Sequence, residues 1–387
     1  MDIRNGDNVY VAMASGTPFT LLEMMYKLNI RDVSVYHLLT FGELKYIKNE
    51  RFKHISLFTH HNTRDYVNQT DNYIPVNFSQ IPKLIRSKKI PIDVVLIEVS
   101  EPNDFGYCSL GMSVECLPAA IISANRVIAC INKNVPKTYG YQIHINQISE
   151  FHYIDNDIFL YEDKTLSFPS SEENEVAHRV SELIPSNCTV QTGVGTIPSL
   201  VLYHLQSKKN IKIHTECFFD ASMNLMLSGA ATEAKCTLAM GTQKLIDFLD
   251  NNNSVEILDV EKINNPRIIS DKNIYAINSS VSLDLLGQAS CDYVENKIYS
   301  GFGGILDFMR GASYGSGLGI LAMTSRTKKG QSKICKRLNS PVTLTRADID
   351  FIVTEYGTVD LRGTTSRDRF FLIKEIAHPD DRINLFS

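Results

Sequence analysis

One carboxylate and two glycine turns stand where acyl chemistry would need them in this 387-residue sequence. His214-Thr215-Glu216 closes the apolar run 211–215. Gly193-Val194-Gly195 follows the strand-like run 188–192, and Tyr299-Ser300-Gly301-Phe302-Gly303-Gly304 forms a second glycine-rich segment. Glycines let the backbone approach a ligand closely and turn N–H groups toward a developing oxyanion, which acyl transfer requires. A carboxylate at the end of the run 211–215 would project into the same crevice. Read singly, each signal has a plainer meaning. Glu216 could cap a helix beginning near Asp220, and a G-x-G after a strand is often only a turn. Cys217 is a second nucleophile candidate, but on a continuing strand it would point to the face opposite Glu216, which predicts a buried thiol. His214 and Glu216 together with His60-His61 do not supply a tetrahedral metal set.

The surrounding pattern is that of elements able to hold such groups at strand ends. Residues 9–14 read as a strand, Ser15-Gly16-Thr17-Pro18 as a turn, and Leu21, Leu22, Met25 and Leu28 as one face of a helix, with Thr17 as its N-cap and Pro18 at its first position. A second strand is expected at 33–39. The order recurs later: strand 188–192, a turn at Gly193 to Pro198, helix 200–205 and strand 211–215. The two series read either as duplicated α/β units or as two ordinary βαβ units. Further buried strands are expected at 94–99, 127–131, 274–277 and 320–323, alternating with helical stretches such as 245–249. This is the pattern of mostly parallel sheets covered on both faces. Residues 163–173 have linker composition, and Val176, Val180, Leu183 and Ile184 open a helix beyond them. In such folds ligands gather beyond the carboxyl ends of strands, which directs attention back to the three segments above.

Composition narrows the partners. Hydrophobic residues make up 43% and charged residues 21% of the chain, and the formal net charge is −4 with Lys and Arg scattered, so neither a nucleic acid nor an anionic membrane is an expected partner. No apolar run reaches membrane-spanning length and the first residues are unlike a signal peptide, so a cytoplasmic protein is expected. The eight cysteines include no C-x-x-C pair and read as reduced core residues.

Six ordered segments carry a resemblance over nearly the whole chain. They are the run from Val99-Ser100-Glu101-Pro102-Asn103-Asp104-Phe105-Gly106-Tyr107-Cys108-Ser109-Leu110-Gly111, then Gln191-Thr192-Gly193-Val194-Gly195, then Ile213-His214-Thr215-Glu216. Tyr299 to Gly304, Thr354-Glu355-Tyr356-Gly357-Thr358-Val359-Asp360-Leu361-Arg362-Gly363 and Ile376-Ala377-His378-Pro379 complete the set. In these the chain resembles the acetyl-CoA hydrolase/transferase family, which includes 4-hydroxybutyrate and acetate CoA-transferases.

That resemblance implies two related open α/β domains of the ribose-phosphate isomerase and glucosamine-phosphate deaminase type, spanning 1–165 and 172–387, with the active site between them. It implies that Glu216 is the nucleophile, passing through an acyl-glutamyl anhydride and a glutamyl-CoA thioester. Backbone donors for the oxyanion are implied at Val194 or Gly195 and at Gly303 or Gly304. Asn278 matches a position near the thioester, and Glu355 is a candidate for orienting the nucleophile. The segment Thr327-Lys328-Lys329-Gly330-Gln331-Ser332 matches a loop that meets CoA, with Tyr356 beside it, although a lone basic pair can also be a solvated loop. Gly16, Thr17, Asn103, Phe105, Gly106 and Tyr107 are implied to meet the substrate; Phe105 and Tyr107 could equally pack a core. The implied partners are an acyl-CoA and a small carboxylic acid, with no metal or other cofactor, in a homodimer or larger assembly. Alternatives are hydrolysis of acyl-CoA on the same Glu, or non-catalytic acyl-CoA binding. Phe219 and Ala221 depart from the family's usual H-T-E-x-F-S-D-G, as does Ser100-Glu101-Pro102-Asn103-Asp104-Phe105 from its S-P-P-D-E-H.

Overall fold

Long apolar runs must be buried on both faces, and the chain satisfies this with two mainly parallel sheets. The structure, a computed structural model, describes residues 1–162 and 168–385. Strands of the first part are Asn8–Val11 (β1), Val33–His37 (β2), Phe52–Ser56 (β3), Val94–Val99 (β4), Arg126–Asn132 (β5), Tyr139–Gly140 (β6) and Glu150–Ile154 (β7). Those of the second are Thr189–Thr192 (β8), Ile211–His214 (β9), Ala231–Cys236 (β10), Val255–Ile257 (β11), Ile274–Asn278 (β12), Leu318–Ala322 (β13), Phe351–Thr354 (β14) and Gly357–Asp360 (β15). The first sheet runs β3-β2-β1-β4-β5-β7 and is parallel throughout. The second runs β15-β14-β13-β12-β8-β9-β10-β11-β6, with only β15 antiparallel to its neighbour.

The segment β10-β9-β8-β12-β13-β14 repeats the strand order of the first sheet, which is the recurrence seen in the sequence. Helix Phe19–Lys27 (α1) joins β1 to β2 as helix Thr196–His204, numbered below, joins β8 to β9. The buried residues of α1, Leu21, Leu22 and Met25, share a core with Val11, Val35, Leu96 and Cys130 from four neighbouring strands.

Several local expectations are corrected. β1 stops at Val11, because residues Ala14–Gly16 turn into a short 3₁₀ segment. Thr17 does not cap α1: its Oγ1 donates to the Ala14 carbonyl at 2.8 Å, and Pro18 is the N-cap, without a side-chain bond. The expected linker 163–173 lies partly outside the described residues, at 163–167. Its last three residues already belong to helix Ser171–Leu183 (α2), which Ser170 and Glu173 open with a reciprocal capping box. Thr196–His204 (α3) starts directly after Gly195, one turn earlier than its apolar pattern indicates.

Among the described residues, β6 is the one sheet strand that leaves its own half. After β5 the chain crosses and pairs Tyr139 and Gly140 with Glu256 and Ile257 at the edge of the second sheet. Gly140 has φ of +125°, and a Cβ there would collide with the Ile257 carbonyl oxygen, so only glycine fits this junction. Gly140→Ala should lower stability by about 2–3 kcal/mol, read as a drop in the urea midpoint; an unchanged midpoint would show that the crossing strand contributes nothing.

Candidate active site

Because β12, β8 and β9 are adjacent and parallel, their carboxyl ends deliver three segments to one place. Asn278 ends β12, Gly193-Val194 follows β8, and Glu216 follows β9 by two residues. The strand ends are locked side by side. Gln191 and Asn278 exchange amide bonds, Nε2 to Oδ1 at 3.2 Å and Nδ2 to Oε1 at 2.9 Å, and Thr215 Oγ1 donates to the Thr192 carbonyl at 3.0 Å. Glu216 is not part of a helix cap. The next helix, Asp220–Leu227 (α4), has Phe219 as N-cap and its own acid, Asp220, in the first turn.

The carboxylate of Glu216 is half-buried on the wall of a cavity. Asn264 follows the short helix Val260–Ile263 (α5), and its Nδ2 donates to Glu216 Oε2 at 2.8 Å. The Gly304 amide also bonds Glu216, and Gly304 is the N-cap of helix Ile305–Tyr314 (α6), whose positive end therefore faces the carboxylate. Burial nonetheless pushes Glu216 up to about 7: desolvation outweighs the Asn264 and Gly304 bonds, and the charge of Asp307, in the first turn of α6, adds to the rise. Asp307 is itself pushed up to about 6 by burial, opposed mainly by Ser79, whose Oγ donates to it at 2.7 Å.

His214 belongs to this arrangement without entering it as an acid or base. Burial lowers it to about 4, so it is neutral, and its Nε2 donates at 2.8 Å to the carbonyl of Ile263, the residue before Asn264. It is a positioning residue. Asn264 and Asp307 were not legible as site residues, since neither lies in a glycine turn or directly after a strand; an acid in the first turn after Gly303-Gly304 was the available signal.

Proximity requires glycine at Gly304 and Gly193, whereas at Gly303 a φ of +53° favours it. A Cβ on Gly304 would collide with Glu216 Oε2 and Asn264 Nδ2, and one on Gly303 would sit 3.5 Å from Glu216 Oε1. A Cβ on Gly193 would come 2.8 Å from Asn278 Oδ1. Val194, Asn278, Gly303 and Gly304 thus all border the same space as Glu216. Gly195 does not; it has φ of +131°, is the N-cap of α3 and faces a neighbouring hollow with Phe219 and Ala221. Cys217 also lines the Glu216 cavity, contrary to the alternation expected of a strand. β9 ends at His214 and a new two-residue strand begins at Cys217, so the regular strand is interrupted between them, while the Cys217 side chain is buried as expected. Burial and the neighbouring Glu216 hold the Cys217 thiol well above its ordinary value, so it stays protonated.

The remaining expected residues form two other groups. Glu355, in the β14–β15 turn, accepts from Ser325 N at 2.9 Å and is grouped with Tyr356 and the 327–332 loop rather than with Glu216. Thr327 closes that loop, taking Gly330 N at 2.8 Å and donating its own N–H to Gln331 at 2.8 Å; Lys328 and Lys329 lie on its exposed face, and Ser332 bridges back to Arg326. These follow the carboxyl ends of β13 and β14, so they share the sheet edge that carries Glu216. Gly16, Thr17, Asn103, Phe105, Gly106 and Tyr107 do not line the Glu216 cavity. Gly16 packs on Ser113, Asn103 Oδ1 accepts from the amides of Phe105 and Tyr107, and Phe105 projects with 81% of its surface exposed. Tyr107 stands edge-on to His144, whose ring approaches Gly106. The first half reaches the cavity instead through residues after β1, β2 and β3, among them Met13, Leu38, Leu39 and Leu57.

Comparison with known proteins agrees with this architecture. The acetyl-CoA hydrolase/transferase N-terminal domain matches residues 2–160, and the corresponding C-terminal domain matches 241–387. The 4-hydroxybutyrate coenzyme A transferase of Clostridium kluyveri is 37% identical over 406 residues, covering 100% of this chain and 94% of that protein. A succinyl-CoA:acetate/propanoyl-CoA:succinate CoA transferase of Fasciola hepatica is 36% identical, covering 99% and 84%. The crystal structure of RipA from Yersinia pestis superposes with a TM-score of 0.93 at 29% identity, covering 100% of this chain and 94% of RipA. The chain belongs to the acetyl-CoA hydrolase/transferase family.

Proposed function

We propose that the protein is a CoA-transferase that moves CoA from an acyl-CoA to a carboxylic acid through Glu216. The observation that carries this reading is a desolvated carboxylate flanked by the Gly304 amide and an asparagine amide at the converging strand ends. Glu216 attacks the thioester carbonyl, the C–S bond breaks, and CoA leaves as thiolate, giving a mixed anhydride. The thiolate then attacks the γ-carbonyl of Glu216, the acyl C–O bond partner departs as free acid, and a glutamyl-CoA thioester remains. An incoming carboxylate displaces CoA from the γ-carbonyl, and the released thiolate attacks the new acyl carbonyl, which regenerates the Glu216 carboxylate. Each tetrahedral intermediate needs donors at its oxyanion, and the turns at Gly193-Val194 and Gly303-Gly304, which border the same space as Glu216, carry backbone N–H groups for it. Lys328 and Lys329 suit CoA phosphates by charge, and the two halves, 1–165 and 172–387, serve as domains closing on the thioester. Water in place of the acid would make the same route a hydrolysis.

Incubation with an acyl-CoA followed by borohydride or hydroxylamine should leave a modified peptide at Glu216. Glu216→Gln should lose the adduct and roughly 10⁴-fold or more of the rate. Turnover with no adduct there, or with the label elsewhere, would overturn the proposal, and CoA release at full rate without an acceptor acid would make the enzyme a hydrolase.

The nucleophile must be ionised, so kcat/KM for the acyl-CoA should fall below a midpoint near pH 7. Asp307→Asn, which removes a like charge, should move that midpoint down, while Asn264→Ala should move it up and slow the reaction about tenfold or more. Shifts in the same direction would exclude the assigned roles.

The same elevation has a stability signature. Folding raises the Glu216 pKa above 4.5, so the native state holds its proton more tightly than the unfolded chain and this group costs stability as pH rises from 4.5 to about 7. Glu216→Gln should therefore stabilise the fold by on the order of 2 kcal/mol at pH 8 and by little at pH 4. Equal urea midpoint changes at both pH values would contradict this.

A further inference from the structure

The cavity that begins at Glu216 runs away from the glycine turns into the first half of the chain, with a volume of about 400 Å³. Its far wall is apolar and sealed: Leu38, Leu39, Leu57, Val76, Phe78 and Ile81 all line it, and each is buried. These residues come from the segments after β2 and β3 and from the stretch before residue 86, so the wall is built by several parts of the first half. The polar lining groups include Glu216, Ser279, Ser280 and Ser300 from the second half and Thr59, His60 and Arg64 after β3. Among the described residues, Arg64 is the only permanent cation on the lining. It is engaged at the rim, its guanidinium 3.8 Å over the half-exposed Tyr299 ring and its Nε donating to the Tyr299 carbonyl at 2.8 Å. His60, also on the lining, is lowered to about 4 by burial and the charge of Arg64, and is neutral.

Resting on the reading of Glu216 as acyl acceptor, we propose that this cavity selects an uncharged, apolar acyl group of roughly four to eight carbons, so that the substrates are medium-chain acyl-CoAs. An acetyl methyl is about the size of one water, roughly 30 Å³, and would leave most of the space unfilled. Unfilled apolar walls forfeit dispersion contacts that a longer chain makes. A dicarboxylic acyl group would bring its second charge against six buried hydrocarbon side chains, where an unpaired carboxylate is strongly disfavoured.

The test is kcat/KM for acetyl-, butanoyl-, hexanoyl-, octanoyl- and succinyl-CoA with propanoate as acceptor, read as propanoyl-CoA formed, together with the yield of Glu216 adduct from each. The expected result is a rise of about fourfold per added methylene from acetyl to hexanoyl, with succinyl-CoA below butanoyl-CoA. Val76→Phe, which fills the apolar end, should cut the hexanoyl to acetyl ratio at least about tenfold; an unchanged ratio overturns the proposal. If that variant does not fold, the wild-type series decides alone. Acetyl-CoA as the best substrate, or succinyl-CoA above butanoyl-CoA, overturns the assignment even though Glu216 is labelled. No adduct from any of the five thioesters overturns the nucleophile reading instead.

Discussion

Burying a carboxylate without a cation beside it is the constraint around which this structure is arranged. Desolvation alone would protonate Glu216 at neutral pH. The fold opposes this with dipoles: the Asn264 amide, the Gly304 N–H and the first turn of α6 all favour the charged form, and the outcome is a group poised near 7. Each compensating group needs its own support. Asn264 is held by its backbone bond to Val260 and by His214 anchoring Ile263, while Gly304 can approach only because it lacks a side chain.

The first half of the chain takes part in holding that geometry. Phe78 N donates to the Gly303 carbonyl at 3.0 Å, and Ser79 binds Asp307 one turn further on, so both ends of the glycine turn at α6 are fixed from outside the second sheet. On the opposite side of Glu216, its own carbonyl accepts from Thr237 and Leu238, and the Thr237 carbonyl in turn accepts from Val114 and Glu115. The backbone of Glu216 is therefore clamped between segments of both halves. Donors held this way need little reorganisation when charge develops, which is the condition for electrostatic stabilisation of an oxyanion.

What could be read beforehand follows from which interactions are local. Glycine turns after apolar runs are written in consecutive residues, so spacing and resemblance together single out Glu216, Val194, Gly303 and Gly304, and the recurrent strand order is visible in the repeated succession of strand, turn, helix and strand. Asn264 and Asp307 meet Glu216 only because β9, α5 and α6 converge, and no local pattern encodes that meeting. The N-cap misassigned to Thr17 illustrates a smaller version of the same limit: a 3₁₀ turn captured its hydroxyl, and a residue-type preference yielded to a tertiary bend. The crossing of β6 was equally unreadable, because two exposed residues, one of them a glycine, carry no hydrophobic period.

The apolar cavity and the elevated Glu216 are two consequences of one composition. Leucine, valine and phenylalanine after β2 and β3 withdraw water from the carboxylate, which raises its proton affinity and, by the same loss of screening, strengthens its attraction to the amides that hold it. Withdrawing water matters for the proposed chemistry as well, because an anhydride or glutamyl thioester is open to hydrolysis wherever water can reach it. A dry wall on the acyl side leaves the polar mouth, where the thioester and the acceptor acid must both pass, as the direction from which water could arrive. The balance between transfer and hydrolysis thus turns on how completely CoA and the acid fill that mouth, and the residues there, Val194, Ser279 and Ser300, are the ones whose packing around the substrate decides it.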